Sequence, residues 1–117
     1  MGRTGYRTYF DGDADNTAKA VKTSAGRIHM IEVSQINNTD SFLQIFDLAA
    51  ADVTVGTTTP EQSYAIPLGD GTNIGGFDMN FGEAGMDFQA AITVAVTTTA
   101  TGSGDPTTGA VLNIAFD

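Results

Sequence analysis

The sequence has no cysteine, no tryptophan, a single histidine and only five basic residues among its 117. Without cysteine, neither a disulfide nor a thiolate metal site can form. No apolar run approaches the roughly 18 residues that a membrane-spanning helix needs, and the segment after Met1 lacks the apolar stretch of a signal peptide. The sequence therefore predicts no membrane partner, and synthesis in the cytoplasm without Sec export.

The few basic residues are distributed unevenly. All five lie in the first 27 positions, whereas residues 28–117 contain 11 carboxylates and no lysine or arginine. Such an acidic body repels phosphate backbones, so nucleic acid is not an expected partner. The asymmetry has two interpretations. Either the negative surface keeps a β-protein soluble, or the basic N-terminal segment lies against an acidic neighbour, its own domain or another subunit.

Short segments of alternating apolar and polar residues dominate the chain, separated by glycine, proline and asparagine. The clearest strands are 90–99 and 110–116, joined by a loop of turn-forming residues. Residues 49–55 are predicted to be a short helical turn or an edge strand. Further strands are predicted at 17–23, 27–36, 41–48, 62–68, 76–81 and 86–88. About eight strands predict an all-β fold, a single antiparallel β-sandwich resembling a jelly roll, over residues 17–117.

Residues 1–16 are predicted to be an extended N-terminal arm outside the sandwich. Tyr6, Tyr9 and Phe10 make this segment rich in aromatics, which disordered tails typically lack. We therefore expect the arm to become ordered against a surface. The alternative is a first strand over residues 6–10, added to the edge of the sheet.

No motif for catalysis is evident. His29 is the only histidine, it lies in the middle of a predicted strand, and no GxSxG nucleophile motif occurs. A packed or half-exposed strand histidine is the preferred interpretation.

The glycine-rich segment 69–76 precedes neither GK[ST] nor a helix, which favours a turn over a phosphate-binding loop. A carboxylate pair of hydrolytic type remains an alternative, but the sequence predicts a protein that is not an enzyme and needs no cofactor.

One acidic segment has the beginning of a calcium-binding loop. Asp11, Asp13 and Asp15 have the D-x-D-x-D spacing, but an EF-hand loop needs glycine at its sixth position and glutamate at its twelfth. Here Asn16 and Lys22 occupy those positions. A looser Ca²⁺ site at the three aspartates is the alternative to a solvated acidic turn, which we prefer.

A resemblance to a known family rests on five structural segments, of which the last two are the most distinctive: residues 23–28, 42–47, 66–68, 81–88 and 95–102. The chain resembles the small β-sandwich decoration or cement proteins of tailed bacteriophages, a group that includes head- and fibre-associated domains. The resemblance covers residues 17–117 and implies a homotrimer on the capsid exterior of a virion. There it would reinforce joins between major capsid proteins.

The N-terminal arm is compatible with that role as a clamp. Its aromatic side chains would bury area, and its two arginines would pair with carboxylates of a neighbouring subunit or capsid protein. The expected contact residues are Arg3, Tyr6, Arg7, Tyr9 and Phe10. The alternative function is a receptor- or glycan-binding module of a phage head fibre, spike or tail fibre, with loops 69–76 and 100–109 as its contact surface.

Overall fold

The computed structural model describes residues 5–117, which form nine strands and one 3₁₀ turn at Ala50–Asp52. No helix in this part of the chain is long and apolar enough to cross a membrane. The strands are β1 (Arg7–Ala14), β2 (Lys19–Lys22), β3 (Gly26–Gln35), β4 (Ser41–Phe46), β5 (Gln62–Ile66), β6 (Gly75–Asn80), β7 (Met86–Phe88), β8 (Ile92–Thr97) and β9 (Ala110–Phe116).

The strands form two antiparallel sheets. The first sheet has the order β1-β9-β3-β6, with β7 also paired to β3, and the second has the order β2-β8-β4-β5. Strands β6 and β7 pair with successive parts of β3, so they behave as one strand interrupted at residues 81–85. With these two counted as one, the eight strands have the two-sheet arrangement of a jelly roll. The predicted antiparallel β-sandwich is confirmed.

The core lies between the two sheets and follows from the alternation of side chains along each strand. In the first sheet, Ile31 and Ile114 are opposite each other and are at most 1 % exposed. The second sheet contributes Leu43 and Val96, which are also paired and fully buried. Branched aliphatic side chains pack well on a pleated surface, which is why they fill these positions.

The outer faces of the two sheets differ. In the second sheet, Gln44 and Thr93 lie on the side away from the core and are nevertheless fully buried. Two loops fold over them: the Gln44 amide donates to the carbonyl of Gly102 at 3.0 Å, and the Thr93 hydroxyl donates to the carbonyl of Leu48 at 2.7 Å. Among residues 5–117, no comparable segment covers the centre of the first sheet, where Glu32 is exposed on β3. Its outer side is called the open face below.

The N-terminal segment forms an edge strand of the first sheet, which was the alternative prediction, and not a separate arm. β1 pairs with β9 from Arg7 opposite Phe116 to Ala14 opposite Ala110, so the strand is longer than the alternative over residues 6–10. Pairing covers the edge of β9, and Tyr9 packs against the core. Residues 7–14 are therefore part of the first sheet. Residues 49–55 contain the 3₁₀ turn, the first of the two alternatives for that segment.

Candidate functional site

Three rows of side chains cross the open face, because directly paired residues of antiparallel strands point to the same side. The middle row brings two carboxylates, Glu32 on β3 and Asp78 on β6, directly opposite each other. The rows are Thr8–Ala115–Met30–Asn80, Phe10–Asn113–Glu32–Asp78 and Val111–Ser34–Gly76.

Exposed apolar side chains are concentrated on this face. In the part of the chain that the structure describes, six large apolar side chains are exposed, and five lie on the open face or at its rim. Single exposed apolar residues are ordinary, but a group on one face marks an interaction surface. The five are Tyr6, Phe10, Met30, Ile74 and Val111, and the sixth, Leu68, lies in the loop that leads to Ile74.

A shallow cleft of about 500 Å³ lies on the open face between β9, β3 and β6. Ile74 and Val111 contribute its exposed apolar residues, and Glu32 and Asp78 its carboxylates. Asn113 donates a long hydrogen bond of 3.4 Å to Glu32. Within residues 5–117, neither carboxylate forms an ion pair. The cleft therefore combines apolar surface with unneutralised negative charge.

A second cluster surrounds His29, a residue that is 2 % exposed. The pairing of β3 with β9 shifts register between Ile28 and Met30, so His29 is the extra residue of a β-bulge, which re-aims a side chain. Its ring stacks on that of Tyr6, with centroids 4.0 Å apart and planes 12° apart. The stack attaches the residue before β1 to the open face.

Both ring nitrogens of His29 face hydrogen-bond acceptors. Nδ1 is 2.9 Å from the carbonyl oxygen of Gly82, and Nε2 is 3.2 Å from Oδ1 of Asp117. The second contact has the distance of an ion pair but not the alignment of a hydrogen bond. Since a carbonyl and a carboxylate can only accept, both contacts are favourable when the ring carries both protons.

Asp117 links this histidine to an arginine. The interaction with His29 is the main reason that the pKa of Asp117 is lowered; burial opposes it, and Arg27, whose Nη2 is 3.1 Å from Oδ2 of Asp117, lowers it further. The group is an ion-paired structural cluster at the end of β9. His29 lies in the middle of a strand as predicted, and Tyr6 and the backbone surround it.

Two of the three aspartates of the possible calcium loop have separate side-chain partners. Asp11 forms an ion pair with Lys19 at 3.0 Å and also accepts a hydrogen bond from the backbone of Asp13. Asp15 accepts one from the backbone of Thr17. No group of three metal-ligating side chains converges anywhere in residues 5–117. The hydrogen bond to Asp11 is the main reason that the pKa of Lys19 is raised.

The expected contact residues do not form one surface. Phe10 is 67 % exposed on the open face and Tyr6 is partly exposed above His29, whereas Tyr9 points inward, because neighbouring strand residues alternate. Arg7 is exposed at the beginning of β1. Arg3 lies outside the described residues.

Other residues of the open face escaped sequence reasoning. The alternation of residues 110–116 is visible in the sequence and places Val111 on the side away from the core. This outward position is the one feature of the sequence that indicated an exposed apolar residue on the open face. The opposition of Glu32 and Asp78 depends on the pairing of β3 with β6, which local patterns do not reveal.

The two loops considered for glycan binding meet at one end of the sandwich. Asn37 connects them: its side-chain amide donates to the carbonyl of Thr108 at 2.7 Å, and its backbone carbonyl accepts from Gly69 at 2.7 Å. Between them lies a small cleft of about 230 Å³, to which Asn38 and Thr107 contribute. Asp70 organises loop 69–76 by accepting hydrogen bonds from Asn73 and Thr72, which lower its pKa to about 2. These loops offer a second, smaller polar surface.

No family model matches the chain, and comparison with curated proteins and with solved structures finds no match. The class of the protein therefore follows from the fold itself, an all-β sandwich of jelly-roll topology. Within the described residues 5–117, loops cover the outer side of one sheet and leave that of the other sheet exposed.

Proposed function

We propose that this protein is a non-enzymatic virion structural protein that decorates and stabilises a tailed-phage capsid. It binds as a trimer on the capsid exterior, across joins between major capsid proteins. The resemblance of residues 17–117 to decoration proteins motivates this assignment. The observation that carries it is the one-sided exposure of large apolar side chains on the open face.

The difference between the two faces supports attachment through the first sheet. Loops bury even polar residues such as Gln44 on the outer side of the second sheet. On the open face, by contrast, Phe10 and Val111 remain 67 % and 39 % exposed. Apolar side chains with a polar surround are the composition of a protein interface. A trimer would engage three such faces at once, so weak single contacts would add into a long-lived attachment.

The test is co-sedimentation of the purified protein with capsids of the phage that encodes it. We expect Phe10→Ser and Val111→Ser to reduce the bound amount at least tenfold. Ala51→Ser, an apolar-to-serine change at an exposed position beside the covered sheet, serves as the matched control and should bind normally. Unchanged binding by both open-face variants would reject this face as the attachment surface, and no binding by the unaltered protein would reject the function.

Oligomeric state provides a second measurement. Light scattering after size exclusion should give three times the 12.1 kDa mass of the chain. A monomer both in solution and on the capsid would reject the trimer.

The alternative is a receptor- or glycan-binding module of a head fibre, spike or tail fibre. The observation that favours it is the polar cleft between loops 69–76 and 100–109, with Asn38 and Thr107 in its lining. A glycan array decides between the two functions. A glycan that binds the unaltered protein but not Asn38→Ala would support the alternative, and a silent array would count against it.

A further inference from the structure

We propose that the cleft on the open face accepts an arginine side chain of a partner protein. The guanidinium group pairs with Glu32 and Asp78, and the aliphatic stem packs against Ile74 and Val111. This inference rests on the proposed function, because it names the chemistry that the capsid surface must present to this face.

The two carboxylates supply the first argument. Directly opposed residues of an antiparallel pair have Cβ atoms about 4.5–5.5 Å apart, and like charges in this position destabilise the sheet. Glu32 and Asp78 are opposed in this way on exposed strand positions. The Asn113 amide, at 3.4 Å from Glu32, is a weak neutral donor. A guanidinium group between the carboxylates would replace their repulsion by two attractions.

The apolar residues of the cleft supply the second argument. Ile74 is 71 % exposed and Val111 is 39 % exposed, and both line the same cleft as the carboxylates. Arginine covers apolar surface with its methylene stem and keeps its charge at the tip. Its planar group also presents several donors in a fixed geometry, suited to a pair of carboxylates. The cleft, at about 500 Å³, is within the roughly 300–1,000 Å³ range of pockets that hold small ligands.

The charge of the protein also indicates which kind of partner the cleft accepts. Two basic side chains of the protein, Lys19 and Arg27, already have carboxylate partners in Asp11 and Asp117. A second copy docked face to face would bring its own acidic pair towards the first, in a chain of net charge −9. Like-charge juxtaposition of this kind opposes association. Charge therefore disfavours a second copy docked face to face, and the proposed occupant is a different protein that carries a cationic side chain.

The experiment uses the full protein and the peptide acetyl-Ala-Leu-Arg-Leu-Ala-amide, followed by amide nuclear magnetic resonance. We expect chemical-shift changes centred on Ser34, Gly75, Gly76 and Asn113. The same peptide with citrulline, which has the shape of arginine without its charge, should bind at least tenfold more weakly. Added salt should weaken binding of the arginine peptide, because exposed charge pairs are screened.

Variants of the protein locate the contact. Glu32→Gln with Asp78→Asn should reduce peptide affinity at least tenfold while the remaining amide signals keep their positions, which shows that the fold persists. Asp52→Asn, an exposed carboxylate outside the cleft, is the matched control and should bind normally. Equal binding of the arginine and citrulline peptides, or shifts away from the cleft, would overturn the proposal.

Three further outcomes are distinguishable. Peptide binding that becomes detectable only after Arg3→Gln would overturn the proposal, because it would make the chain's own arginine the occupant. Co-sedimentation of the acidic-pair variant with capsids tests the function separately. Normal capsid binding by this variant would overturn the arginine contact and leave the capsid function intact. Failure of the unaltered protein to bind capsids, together with its specific binding of the arginine peptide, would reject the function and retain the cleft.

Discussion

Asp47 stabilises the connection that leads into the buried strand β8. Its carboxylate accepts hydrogen bonds from the backbone N–H groups of Gln89 at 3.0 Å, Ala90 at 2.8 Å and Ala91 at 3.4 Å. Burial alone would raise the pKa of Asp47, but the three hydrogen bonds outweigh it and lower the pKa. The hydrogen bonds of the folded protein therefore stabilise the charged carboxylate of Asp47.

Replacement of Asp47 by alanine should lower the free energy of unfolding by about 2–3 kcal/mol. A hydrogen bond to a charged group contributes about 1.5–3 kcal/mol. Here, however, the bonds share one carboxylate, and Gln89 and Ala90 are exposed and regain water as a partner. Ala91 is 1 % exposed, so its N–H group cannot regain water as a partner and the loss of its hydrogen bond costs more. For a chain of this size, about 2–3 kcal/mol corresponds to a fall in melting temperature of roughly 8–12 °C.

Urea denaturation at pH 7 measures the loss, with Asp52→Ala as a control. Asp52 is exposed on the 3₁₀ turn, and its removal should change the unfolding free energy by less than about 0.5 kcal/mol. A loss below about 0.5 kcal/mol for Asp47→Ala would refute the reasoning. The three hydrogen bonds would then stabilise the fold no more than hydrogen bonds from the same N–H groups to water.

The same contact predicts a pH dependence. The pKa of Asp47 is lower in the folded than in the unfolded protein, so its contribution is complete above the unfolded value of about 3.9 and is lost as the pH falls through the folded pKa. The difference in stability between the unaltered protein and Asp47→Ala should therefore be constant from pH 7 to pH 5 and shrink below about pH 4. A difference that is unchanged at pH 2 would contradict this assignment.

Two further predictions concern the core and the turn that contacts His29. Ile114→Ala should cost about 2–5 kcal/mol in urea denaturation, because it empties a site that is 1 % exposed; a cost below 1 kcal/mol would mean that the core collapses around the gap. Gly85→Ala should lower the melting temperature, because Gly85 has φ of +70° and an added Cβ would lie 3.0 Å from the His29 ring; an unchanged temperature would contradict this strain.

Much of the fold was predictable because alternation is a local property. Ile92, Val94 and Val96 alternate with small or polar residues, and the pattern predicted a strand without any knowledge of its partners. The structure places that strand, β8, in the centre of the second sheet. Eight of the nine strands, β2 to β9, and the sandwich class followed from the same signal.

The N-terminal segment shows where local pattern is insufficient. Gly12, Asp11 and Asp13 interrupt any apolar alternation, which favoured an arm over a strand. The deciding factor is the free edge of β9, a hundred residues further along the chain, whose backbone groups pair with β1. Strand pairing can compensate for a weak local preference when a partner edge is available.

The sequence by itself determined which residues alternate, where turns interrupt them and how charge is distributed, because these are properties of neighbouring side chains. Only the tertiary structure decided which distant residues meet. It places Glu32 opposite Asp78, Asp11 of β1 beside Lys19, and Asp47 against the backbone of residues 89–91. The physical reason is register: a shift of one residue between paired strands reverses every side chain, and the packing of the whole sandwich selects one alignment.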